Sequence, residues 1–105
     1  MPRELRAAAD PSFLQATTNT ENMTTYTFAD QNLGTASSER HIIVAIISRK
    51  SGASTTITGV TVGGITATEV RQVTDFATNT NVAGLFIVYV PYSLWQRFVV
   101  NQMFT

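Results

Sequence analysis

Apolar and polar residues alternate most cleanly in TTYTF, Thr24 to Phe28, where Tyr26 and Phe28 fall on one side and threonines on the other. A period of two predicts a strand with one buried face. Two further segments are apolar without alternating: HIIVAIIS, His41 to Ser48, and LFIVYV, Leu85 to Val90. Their short length and β-branched content predict strands buried on both faces rather than helices. Pro91 stops the second of them.

Between these runs lies TITGVTVGGITATEV, Thr56 to Val70. Gly63-Gly64 links two β-branched segments, and the tight turns that join hairpin strands need positive φ. Pairing Val62 with Ile65 sets Val60 against Ala67 and Thr58 against Glu69. Val60, Val62, Ile65 and Ala67 then share an apolar face, and Thr61, Thr66 and Thr68 share a polar one. RFVVNQMF, Arg97 to Phe104, reads as a final strand after the aromatic turn YSLW, Tyr92 to Trp95. Ala29 to Arg40, Arg49 to Ser54 and Asp75 to Gly84 read as loops and turns from their Gly, Asn, Asp and Ser content.

The start of the chain differs. RELRAAA, Arg3 to Ala9, is the only series of helix formers. Asp10-Pro11 ends it, because a residue before proline avoids the helical region. A helix of about two turns is marginal alone. Residues 1–22 therefore read as an N-terminal arm and residues 23–105 as one β-domain. About six strands with turn signals at regular spacing predict an all-β antiparallel sandwich, jelly-roll or Ig-like.

Composition narrows the function. The chain has 105 residues, enough for one domain with a modest core. Charged residues make up only 13%, about half the usual share, so the surface must be polar without charge. Threonine, at 17 positions, fills that role. The net charge is zero, which supplies no basic excess to neutralise nucleic-acid phosphates and favours association over repulsion. With no cysteine, disulfides and thiol chemistry are excluded. No apolar run reaches membrane-helix length, and MPRELRAAADPSFLQ lacks the apolar core of a secretory signal.

Motifs for chemistry fail on detail. A phosphate loop needs Gly-Lys-Ser/Thr and a helix, but Gly64 leads into Ile65 and a strand pattern. DQNLG, Asp30 to Gly34, opens like a calcium loop, yet the closing Glu position holds His41. An Asx-type turn is the plainer reading. His41, the sole histidine, has Asp30, Glu39 and Asp75 as candidate co-ligands without ligand spacing. No G-x-S-x-G motif supports a Ser-His-Asp site. His41 reads instead as the entrance residue of its strand, with a polar partner or water. Glu69 and Asp75 are candidates for paired carboxylates only in the sense that acids are few, and nothing in the pattern pairs them. Asn22-Met23-Thr24 matches a glycosylation acceptor, which without a secretory signal reads as chance. The chain is thus expected to be no enzyme and to carry no catalytic, metal or cofactor residue. Tyr92, Trp95, Phe98 and Phe104 are the candidate anchors of an interface, joined by Leu5 and Phe13 on the arm. The same aromatics could instead close the core or form a sugar-stacking platform.

Three segments carry a family resemblance: TTYTFADQNLGTASSERHIIVAIISR, TITGVTVGGITATEVRQV and NVAGLFIVYVP. They resemble small β-domain structural proteins of tailed bacteriophages and prophages. In that group an F-x-x-x-(N/D)-L-G loop precedes an arginine-led apolar strand. An I-x-x-V-x-(I/V)-G-G hairpin follows, then an apolar strand ending in Val-Pro. The matching positions are Phe28, Asn32 to Gly34, Arg40 to Ile47, Ile57 to Ile65 and Leu85 to Pro91. The resemblance implies a virion protein, a head decoration (cement) or tail-associated subunit, assembled in the bacterial cytoplasm. Its implied partners are other virion proteins and copies of itself, with no nucleic acid and no membrane. The alternative is a carbohydrate-binding module of a receptor-binding appendage. The group continues past its Val-Pro with a Gly/Thr-rich turn and more strand. Here YSLWQRFVVNQMFT departs from it, so an apolar edge is expected at the C-terminal strand.

Overall fold

A computed structural model describes residues 12–50, 54–74, 81–92 and 95–104, the Phe104 side chain excepted. The helix expected at Arg3 to Ala9 lies outside the described residues. Among those described there is no helix, and seven strands form two antiparallel sheets. The strands are β1 (Thr25–Phe28), β2 (His41–Arg49), β3 (Thr55–Val62), β4 (Ile65–Thr66), β5 (Thr68–Thr74), β6 (Asn81–Tyr89) and β7 (Phe98–Phe104). One sheet has the order β1-β7-β3-β4 and the other β2-β6-β5. The chain is an all-β sandwich.

The pairing is nested. β1 pairs with the last strand and β2 with the one before it. A chain that folds over as a long hairpin and then wraps into two sheets pairs in this way, the manner of a jelly roll. The core lies between the sheets. Ile57, Val60, Val62 and Val100 face it from one side, and Ile42, Val82, Phe86 and Val88 from the other. The sheets pack tightly at Gly84, where a Cβ would lie 2.9 Å from Ile57 Cδ1.

The Gly63-Gly64 hairpin forms in the expected register, with Val62 against Ile65 and Thr61 against Thr66. Both glycines have positive φ, 58° and 84°, as a type I′ turn requires. The Ala67 N–H donates to the Val60 carbonyl, 2.8 Å. Beyond Ala67 the expectation fails. Thr58 does not pair with Glu69, because β5 crosses to the other sheet and pairs with β6. The Gln72 side chain compensates, bonding both backbone groups of Ile57 across the gap.

Three other expectations are corrected. β2 and β6 are not buried on both faces. β2 buries Ile42 and half-buries Val44 and Ile46, while His41, Ile43, Ala45 and Ile47 face outward. A two-layer sandwich can cover only one face of each sheet. β6 begins at Asn81, so its first residues take the end of the expected loop Asp75 to Gly84. β7 is not an open edge either, since β1 and β3 flank it. The longest edge among the described strands is β2, which pairs only with β6, and β5 is the other edge of that sheet.

Candidate interaction surface

The outward face of the β2-β6-β5 sheet is built by strand alternation alone. The cross-strand register sets Ile47, Ala83 and Val73 in one row, and Ala45, Leu85 and Arg71 in the next. Ile43, Ile87 and Thr68 follow, then His41 beside Tyr89. Ile43 is 58% exposed and Ile47 86%, with Val73, Leu85 and Tyr89 also open to solvent. A solvated sheet face normally carries polar residues. Here Thr68 is the one threonine and Arg71 the one formal charge within the four rows. From His41 to Ile47 the face runs about 24 Å along the strands and about 14 Å across, roughly 340 Å² in footprint. That is the size of the largest apolar patch on an ordinary monomer, which is often functional.

A groove of about 630 Å³ runs beside β2. Residues 12–17 and 31–35 form one wall and His41 to Ala45 the other, with Val62 and Phe98 at its floor. Consecutive residues of β2, His41 to Ala45, line it, so it follows the edge of the strand. The loop wall is fixed by polar contacts. Gln15 Nε2 donates to Gln31 Oε1, 2.7 Å, and the Asn32 N–H donates to Gln15 Oε1. The Gly34 N–H donates to Asn32 Oδ1, 2.9 Å, closing the Asx turn read from DQNLG. Arg40 holds the same loop to the end of β6. Its guanidinium donates to the carbonyls of Gly34, 2.9 Å, and of Val90.

Of the candidate anchors, Phe13 and Phe98 both line this groove, and Tyr92 and Trp95 lie outside it. Tyr92 and Trp95 are exposed, and Phe13 is exposed on the arm. Phe98 is half-buried at the core and stacks on Phe28, ring centroids 4.8 Å apart. Leu5 and the Phe104 side chain lie outside the described residues. Trp95 rests against the hairpin, where a Cβ on Gly64 would lie 3.1 Å from its ring. The Arg97 guanidinium sits 3.9 Å from the centre of the same ring. The apolar residues of the outer face were not singled out in the sequence. The signal was present, because two strands that pair with each other in a two-layer domain cannot both be covered on both sides.

His41 opens β2 and is exposed, with Nδ1 3.1 Å from the Glu39 carbonyl and its ring 4.8 Å from that of Tyr89. Among the described residues no group of acids and histidine could hold a metal ion. Comparison of the chain with models of protein families, with curated proteins and with solved structures finds no match.

Proposed function

We propose that this chain is a non-enzymatic structural subunit that acts through protein–protein contacts. We place it in the virion of a tailed bacteriophage or prophage, as a head decoration or tail-associated protein. The observation that carries the reading is the largely apolar face of the β2-β6-β5 sheet, which exposes Ile43, Ile47, Leu85 and Val73 around a single charge, Arg71. Covering such a face gains roughly 25 cal/mol per Å² of apolar surface. The virion assignment rests on the resemblance that spans Thr24 to Pro91. A decoration subunit binds only the assembled surface, so it stabilises that surface by mass action. The partners are capsid or tail proteins and further copies of the chain.

Particles purified from the host of origin test this. Quantitative mass spectrometry should find the chain in copies that follow the capsid lattice or the symmetry of a tail or vertex. Its absence from intact particles would overturn the virion assignment. The carbohydrate-binding alternative would use the exposed rings of Tyr92 and Trp95. Arg97 already stacks on Trp95, which leaves that ring less free for a sugar, and a glycan array separates the two readings.

A further inference from the structure

The edge of β2 has open backbone groups. In an antiparallel pair, hydrogen-bonded residues alternate with non-bonded ones. The Val90 N–H donates to the Arg40 carbonyl, 3.0 Å, which puts the even-numbered residues of β2 in bonded pairs with β6. The odd-numbered residues His41, Ile43, Ala45, Ile47 and Arg49 therefore turn their N–H and C=O groups to the open side. Among the described residues no backbone group bonds that side. A nine-residue apolar edge in this state is a template for another strand.

The sequence of this edge is self-complementary. If HIIVAIISR meets its own copy antiparallel about Ala45, Ala45 faces Ala45 and Ile43 faces Ile47 on the outer side. Val44 faces Ile46 on the inner side. Each odd-numbered residue meets an odd-numbered one, so open donors meet open acceptors. The groove beside His41 to Ala45 then admits the partner's Ala45 to Arg49 half, which spans about 17 Å when extended.

We propose that a second copy of the chain pairs along β2, about a two-fold axis through Ala45, to make one six-stranded sheet. This deepens the structural-subunit reading and rests on it. It also brings the outer face nearer to the size of a standard interface. One face of roughly 340 Å² falls short of the ~800 Å² that each partner gives a standard interface. Joined edge to edge, two faces make a continuous apolar surface of roughly 680 Å² for the virion partner. An isologous contact of this kind also closes, leaving no further edge on β2.

The test uses the full chain in sedimentation equilibrium over the micromolar range. The wild type should move from one chain mass to two. Ala45→Pro removes an N–H that the fold does not use, so the variant should keep its circular dichroism and weaken the dimer by about tenfold or more. Ala45→Lys and Ala45→Glu should each be monomeric, since like charges would sit directly opposite each other at the axis. Mixed in equal amounts, those two should restore the dimer. A wild type that stays monomeric would overturn the proposal. So would a dimer indifferent to Ala45→Pro, or Lys and Glu variants that fail to rescue each other. None of these results bears on whether the chain is found in particles, so the two readings fail separately.

Discussion

Thr55 opens β3, 1% exposed, across the ladder from Phe104. Its hydroxyl oxygen is buried with no hydrogen-bond partner. A buried hydroxyl without a partner keeps its desolvation cost, about 1–3 kcal/mol, because folding strips its water and returns nothing. Thr55→Val swaps that hydroxyl for a methyl of nearly the same shape, and valine suits a strand as well as threonine does. The variant should therefore be more stable than the wild type by about 1–3 kcal/mol. For a domain of this size each kcal/mol raises Tm by about 4–8 °C. Thr55→Ser is the counterpart. It keeps the orphan oxygen and deletes the methyl, so it should lose about 1 kcal/mol. Urea unfolding followed by circular dichroism measures both. The midpoints should shift in opposite directions with an unchanged slope. All samples should be compared at one low concentration, because the midpoint of an associating chain depends on it. A valine variant no more stable than the wild type would refute the reasoning, because it would mean that the hydroxyl is satisfied in solution.

Four further predictions rest on separate features. Arg40→Met should cost about 2–4 kcal/mol by unpairing the carbonyls that its guanidinium holds, and Arg40→Lys should recover only part, since an ammonium cannot span them as a fork. Amide exchange at Leu33 and Gly34 should report the loosened loop. Gly84→Ala should cost about 1–3 kcal/mol, because the new Cβ meets Ile57 Cδ1 and Phe86 Cε1 at 2.9 Å. Adding Ile57→Val deletes one of those atoms, so the double variant should be less destabilised than the two single changes sum to. Gln102→Leu should cost about 2 kcal/mol or more, as the buried amide joins Ser48 of one sheet to Tyr26 of the other and to the Met23 carbonyl just before β1. Ile47→Thr should leave the unfolding midpoint within about 0.5 kcal/mol, since the side chain is 86% exposed, while lowering the binding of a hydrophobic dye. Measured where the chain is monomeric, a large loss of stability there would mean that Ile47 packs within its own chain.

Local pattern was enough wherever one strand decides its own state. The alternation in TTYTF placed Tyr26 and Phe28 inward, and both are half-buried against the core. Gly63-Gly64 fixed a turn because only positive φ closes it. The limit came where a strand must choose a partner. Glu69 to Thr74 could continue the hairpin or leave for β6, and both options satisfy the same local preferences. The switch depends on Gln72 reaching Ile57 and on a bulge between Glu69 and Arg71, neither of which a period of two encodes. The aromatic turn was similarly opaque. Trp95 finds its seat on Gly64 through the fold, far from it in sequence.

The misreading of β2 and β6 says most about function. A continuous apolar run and a strand exposed on one face give different surfaces but the same local stability, so nothing within HIIVAIIS separates them. What separates them is the number of layers available. A two-layer domain leaves Ile43, Ile47 and Leu85 without cover from their own chain. Threonine fits an outward strand position at least as well, and this chain uses it freely elsewhere. Isoleucine at Ile43 and Ile47 therefore answers a requirement that the isolated domain does not impose. The requirement is met if the face is buried in an assembly, where the residues that looked doubly buried in the sequence become so. The charge pattern of β2 agrees with the proposed pairing: charges along the strand would blunt its edge, and its only formal charge is at its last residue, Arg49.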